Sequence, residues 1–167
     1  QESFKLCNQI AEENYKNICY QGFGKEFVGL AQSKDIRRVD QMDEERLKKI
    51  VNWCNLAEEK NSIQQCLSHA LSSIFWGGEN NYLASIRFCS VISDSENQNV
   101  CFLNLIGQAS YYIKDTKNKA AFCREIPAKF TDECKRKLAE NSDSCDQLKS
   151  LTSKKQCWEE EIENTLK

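Results

Sequence analysis

Sulfur is the most regularly placed reactive group in this chain. Ten cysteines fall into five neighbouring sets. Cys7/Cys19, Cys54/Cys66, Cys89/Cys101 and Cys145/Cys157 each enclose eleven residues, and Cys123/Cys134 enclose ten. Among the many pairings that ten cysteines allow, this regularity favours the nearest-neighbour disulfides Cys7–Cys19, Cys54–Cys66, Cys89–Cys101, Cys123–Cys134 and Cys145–Cys157. Each set brackets a polar stretch, such as Ser93–Asn99 between Cys89 and Cys101. One cysteine would lie late on a helix and the other early on the next, side by side in antiparallel arms. A disulfide accepts Cα separations of about 4.4–6.8 Å, which such positions offer. Zinc, iron–sulfur and redox sites favour tight C-x-x-C pairs or several histidines. This sequence has no C-x-x-C and a single histidine, so neither a metal nor a cofactor is expected.

Two other stretches could carry chemistry. In Cys19–Phe27, Gly22 and Gly24 flank Phe23, and a cleft there would have Tyr20 and Phe27 as its floor and Lys25 and Glu26 at its lip. The competing reading is a tight helix crossing, and the helical setting of the glycines excludes a phosphate or dinucleotide loop. The stretch from His69 to Asn81 gathers His69, Phe75, Trp76, Glu79 and Asn80 around a helix end marked by Gly77–Gly78. Such a group suits a sugar, a peptide or a partner loop; the alternative is a helix cap with Trp76 packed on the next hairpin. An apolar pocket of Phe23, Phe27, Phe75 and Trp76 would make a small-ligand carrier. Glu26, His69 and Glu79 are the acid–base groups an enzyme would use. His69 has neither a convincing nucleophile nor a second histidine nearby, so no catalytic residue is assigned and an enzyme is not expected. Lys34–Arg38 and Glu159–Glu163 read as solvated surface, and Tyr111 and Tyr112 as core or an interaction face.

The elements that must position these groups are helices. Apolar residues at three-to-four spacing give hairpins over about 2–31, 43–78, 80–114, 118–140 and 142–166. Tyr15, Ile18, Cys19, Phe23 and Phe27 mark the second arm of the first hairpin, and Leu47, Ile50, Val51 and Cys54 the first arm of the second. In the third, Tyr82, Leu83, Ile86, Cys89 and Ile92 face Cys101, Leu105, Ile106, Ala109 and Tyr112. Asp43 is placed to cap a helix, and Pro127 to begin one. Gly22, Gly24 and Gly29 lie inside a helical pattern at a cost of about 1 kcal/mol each relative to alanine, which close approach of a neighbouring helix would offset. Residues 32–42 form a charged connection. The third residue after each first cysteine is apolar, being Ile10, Ala57, Ile92, Ile126 and Leu148. The fold class predicted is all-α, an array of about five stapled antiparallel hairpins within one domain, as a short solenoid or a compact helical-repeat domain.

With the repeat laid out, the chain resembles secreted bacterial helical-repeat proteins of the tetratricopeptide and Sel1-like kind, in which cysteines staple the two helices of a repeat. The likeness lies in the pattern of cysteine, apolar residue and period: first cysteines of the middle copies are 35 and 34 residues apart. A repeat scaffold without a recognisable catalytic constellation leads to the expectation of a non-enzymatic scaffold binding another protein or a cell-envelope component.

Composition agrees with a folded chain. Of 167 residues 40% are hydrophobic, with eight Phe, five Tyr and three Trp, and a single Pro leaves long stretches free to be helical. A net charge of −2 with interspersed signs argues against a nucleic-acid partner. No transmembrane run occurs. Ten cysteines in this register imply an oxidising compartment, so a periplasmic or extracellular location after removal of an N-terminal signal is expected. The lack of an N-x-[ST] acceptor tilts the same way as the bacterial resemblance. Oligomeric state is left open.

Overall fold

The computed structural model describes residues 2–32, 39, 41–77, 82–113, 116–139, 155–157, 159 and 163. These residues are all-α, with no strand among them. The helices are α1 (Glu2–Asn8), α2 (Glu13–Ala31), α3 (Glu44–Cys54), α4 (Lys60–Gly77), α5 (Tyr82–Ser90), α6 (Ser95–Tyr112), α7 (Thr116–Glu125) and α8 (Thr131–Ala139), with a 3-10 turn over Ala128–Phe130 before α8.

Local signals account for the helix ends. Asp43 holds an extended backbone and accepts a hydrogen bond from the Arg46 amide at 2.9 Å, with Glu44 and Glu45 behind it in the first turn. This satisfies one orphan donor and places negative charge at the positive end of α3. Asp94 does the same for α6, accepting from the Asn97 amide at 2.8 Å. Pro127, with φ −57°, precedes the 3-10 turn. Helix α4 runs to Gly77; Gly78 lies outside the described residues.

Four disulfides join the arms in nearest-neighbour order: Cys7–Cys19, Cys54–Cys66, Cys89–Cys101 and Cys123–Cys134. Their Cα separations are 5.6, 5.5, 5.5 and 5.8 Å, in the usual range for this bond. The pairing Cys145–Cys157 involves Cys145, which lies outside the described residues. In the first three hairpins the apolar residue three after the first cysteine has a shared backbone role. Ile10, Ala57 and Ile92 donate their amides to the carbonyls of Cys7, Cys54 and Cys89 at 3.1, 3.1 and 3.3 Å. Each of these first arms therefore closes with the same turn just past its bridge.

The chain folds as two compact units, residues 1–101 and 102–167, with the boundary inside α6. In the first unit α2 lies along α4, α3 packs on α2, α4 and α5, and α1 covers part of α2. The core comprises Leu47, Ile50 and Val51 of α3, Cys66, Ala70, Leu71, Ile74 and Phe75 of α4, and Ala84, Phe88 and Cys89 of α5. Val39 and Met42 are also buried, so the connection after α2 sends apolar anchors inward at its end. The Lys34–Arg38 part of it lies outside the described residues. In the second unit Leu105, Ile106 and Ala109 of α6, Phe122 and Cys123 of α7, and Phe130, Cys134 and Leu138 form the core. Phe102 packs on Phe130 with centroids 5.0 Å apart. Lys119 is wholly buried and donates from Nζ to the Leu138 carbonyl at 3.1 Å, occupying an acceptor in the last turn of α8. Glu159 and Glu163 are exposed.

Two arms turn a different face inward than their apolar spacing indicates. In α2 the buried residues are Tyr20, Gly24, Val28 and Ala31, whereas Tyr15 and Ile18 are 60% and 58% exposed. Apolar side chains occur on several sides of this helix, and the closest contact is made by a glycine that carries no hydrophobic signal. In α5 the inward residues are Ala84, Ser85, Phe88 and Cys89, while Leu83 is exposed. A nine-residue helix has too few turns for spacing alone to fix its rotation. On α6, Tyr112 is exposed although Leu105, Ile106 and Ala109 point inward.

Candidate functional site between α2 and α4

Helices α2 and α4 run parallel, and a ladder of polar side chains records their register. Asn61 donates to Glu13 at 3.1 Å and to Asn17 at 2.9 Å, and Gln21 donates to Gln65 at 2.8 Å. Lys16 reaches Glu59 at 2.8 Å, which raises the pKa of its ammonium above the ordinary lysine value through that hydrogen bond. Successive rungs advance four residues on each helix, the spacing that keeps side chains on one face.

Gly24 brings the two backbones together. A Cβ built there would stand 2.1 Å from the Cys66 carbonyl oxygen and 3.0 Å from the Ala70 amide nitrogen, so only glycine fits this crossing. The other two glycines of α2 have a different setting: nothing lies within 4 Å of a Cβ built at Gly22 or Gly29. Close approach therefore accounts for Gly24 alone.

Beyond the crossing, the next positions in the ladder's register are Lys25 opposite His69, then Gly29 opposite Ser73. Here the rungs stop and a groove of about 610 Å³ opens. Lys25, Glu26, Gly29 and Leu30 of α2 line one side, and His69, Ser72, Ser73 and Trp76 of α4 the other. Leu30 is 56% and Trp76 49% exposed, so the groove has an apolar end open to solvent. Among the described residues, the side chains of Lys25, Glu26, His69 and Ser73 take part in no hydrogen bond or ion pair. Ser72 donates to the Ser68 carbonyl at 3.1 Å. Desolvation against the groove wall holds the His69 imidazole below its ordinary value of 6.5.

The groove draws Glu26 and Lys25 from one candidate stretch together with His69 and Trp76 from the other. The remaining candidates are placed differently. Tyr20 is buried, with its hydroxyl donating to Asn8. Phe23 and Phe27 join Phe4 at centroid distances of 4.9 and 5.9 Å, and Phe27 also meets Trp53 at 5.3 Å. Phe75 is fully buried and supports Trp76 edge-on at 6.2 Å. Of the four aromatic residues expected to line a carrier pocket, Trp76 lines this groove; the other three are engaged in packing, where their large apolar area is removed from water. Glu79 and Asn80 lie outside the described residues. Tyr111 and Tyr112 stack edge-on at 4.7 Å in the second unit, and Tyr111 is 63% exposed.

Leu30, Ser72 and Ser73 are lining residues that sequence reasoning passed over, and Gly29 reads in sequence as a helix contact and not as part of a site. A leucine or a serine hydroxyl within a helix singles out no position in the sequence, and the ladder that places them is visible only once the helices are paired. No hydrogen bond joins Glu26, His69 and Ser73 to one another. The arrangement offers donors, an acceptor and an indole to an occupant. No helix among the described residues is long and apolar enough to cross a membrane. No family model matches the chain, and neither a curated protein nor a solved structure matches it.

Proposed function

We propose that this chain is a non-enzymatic interaction module of an oxidising compartment, a helical-repeat scaffold that binds another protein or a cell-envelope component through the α2–α4 groove. The observation that carries this reading is the groove itself: four polar side chains without partners among the described residues, beside a half-exposed tryptophan and leucine, on a flank whose earlier positions are bridged. Four disulfides support an address outside the glutathione-buffered cytosol. They also supply the rigidity that a recognition surface needs, because less ordering entropy is lost on binding.

A photoreactive residue in place of Leu30 tests the proposal in the oxidised protein exposed to secreted and envelope fractions. The expected outcome is a macromolecular adduct that disappears when Trp76→Ala is added. Adduct formation no greater than that from a probe at Lys48 of α3 overturns it.

A small-ligand carrier is the second reading, favoured by a groove volume of about 610 Å³, within the range of small-molecule sites. The exposure of Leu30 and Trp76 weighs against it, since carrier sites enclose most of their ligand.

A further inference from the structure

We infer that the α2–α4 groove is a subsite for a neutral pyranose ring within a polysaccharide chain. This deepens the proposed function and rests on the groove being the binding surface.

Charge selects the class of occupant. The ammonium of Lys25 and the carboxylate of Glu26 are adjacent on the same lip, and desolvation lowers the pKa of the His69 imidazole opposite. An anion that gains from Lys25 meets Glu26, and a cation that gains from Glu26 meets Lys25. A neutral occupant whose groups both donate and accept can use Lys25, Glu26, His69 and Ser73 together. Hydroxyls have that property, each carrying one donor and two lone pairs.

Shape narrows the class further. Trp76 presents a half-exposed indole fixed from behind by the buried Phe75 ring. An indole in wet surroundings suits a ligand with one apolar face and a polar rim, and the axial C–H face of a pyranose with its equatorial hydroxyls is such a ligand. The groove is blocked at one end by the Gln21–Gln65 rung and the Gly24 crossing. It therefore lacks the long continuous channel that a docked helix occupies, and a ring can lie on Trp76 while its chain leaves toward the open end.

Calorimetric titration of the intact oxidised protein tests this with glucose, N-acetylglucosamine, cellotetraose, chitotetraose, maltotetraose and mannotetraose as probes. At least one tetrasaccharide is expected to bind, more tightly than its monosaccharide. Trp76→Ala should weaken that binding about tenfold or more, Trp76→Phe much less, and Glu26→Gln by several fold. Chemical-shift changes on titration should include the His69 ring. Failure of all four tetrasaccharides at millimolar concentration overturns the inference, as does binding indifferent to Trp76→Ala. Equal affinity for monosaccharide and tetrasaccharide overturns it in favour of a free-sugar carrier. If the sugars fail while the Leu30 probe still captures a protein in a Trp76-dependent way, only the pyranose assignment falls. If neither is seen, the interaction-module reading falls with it.

Discussion

Gly24→Ala is the sharpest perturbation of the α2–α4 pairing. In an isolated helix the change would stabilise by about 1 kcal/mol. Here the new methyl would stand 2.1 Å from the Cys66 carbonyl oxygen and 3.0 Å from the Ala70 nitrogen. Both are backbone atoms of α4, so no rotamer change relieves the contact. Cys66 is moreover tied to Cys54, which ties α4 to α3 at the same point. The helices must separate, and overpacking of this kind costs about 1–3 kcal/mol, occasionally more. At the upper end the net loss is about 2 kcal/mol after the helix-propensity gain. Gly22→Ala is the matched control, because its Cβ meets nothing within 4 Å, and it should stabilise by up to about 1 kcal/mol. Urea denaturation of the two oxidised variants, compared at equal m-value, should therefore separate them by about 1–3 kcal/mol, since the propensity gain is shared. Hydrogen exchange in the C-terminal halves of α2 and α4 should rise in Gly24→Ala alone. Equal stability of the two variants would refute the reasoning, since their helical setting is shared and only the crossing differs.

The remaining perturbations probe independent features. Cys54→Ala with Cys66→Ala opens a loop of about a dozen residues and should cost about 3 kcal/mol in the chain-entropy account, read as a lowered urea midpoint. Lys119→Met removes the buried Nζ donor from the Leu138 carbonyl and should cost about 2 kcal/mol; faster exchange of α8 amides is the local readout. His69 is the chain's one histidine, so its ring proton gives a single titrating signal, with a midpoint expected below 6.5 in the folded protein. The sign for stability follows: the unfolded chain takes up the proton first as pH falls, so this contribution is intact above the unfolded value and lost on acidification toward the folded one. His69→Gln should remove that part of the pH dependence, and a folded midpoint at or above 6.5 would contradict the desolvation.

The cysteine register disclosed more of the fold than the hydrophobic pattern did. Eleven- and ten-residue spacers fixed which arms were antiparallel, and four bridges lie where those spacers put them. Asp43 was legible as a cap because an oxygen-bearing side chain before an acidic first turn has a local role that tertiary packing rarely overrides. The buried face of α3 was legible too: Leu47, Ile50, Val51 and Cys54 form one stripe on an otherwise polar helix. On helix α2 the stripe Tyr15, Ile18, Cys19, Phe23 and Phe27 is not the face turned to α4: Phe23 and Phe27 meet Phe4, while Tyr15 and Ile18 are exposed. The buried residues are Tyr20, Gly24, Val28 and Ala31, and the residue in closest contact with α4 is Gly24. As for the candidate site, Glu26, His69 and Trp76 were identifiable by their chemistry. Their meeting was not, since it depends on the register between two helices over forty residues apart in sequence. No local rule encodes that register; it emerges from the glycine crossing and the polar ladder.

The groove lies where it does because the arms of the first hairpin are unequal. Helix α1 has seven residues and α2 nineteen, while their bridge sits next to the turn. An antiparallel first arm can cover α2 only from the turn to about the depth that Phe4 reaches, against Phe23 and Phe27. The rest of α2 projects past its own hairpin, and Phe27 there meets Trp53 of α3. The contact with α4 begins nearer the turn, where polar rungs run up to Gly24, and Gly29, Ser72 and Ser73 are too short to continue them beyond it. Larger residues at those three positions would close the flank and add buried area. The proposed binding role rests on this flank, which leaves Lys25, Glu26 and His69 without partners among the described residues. The disulfides and the groove then answer to separate perturbations: cutting a bridge should lower stability with little change in groove shape, whereas filling Gly29 or Ser73 should block binding in a protein whose denaturation midpoint is preserved or raised.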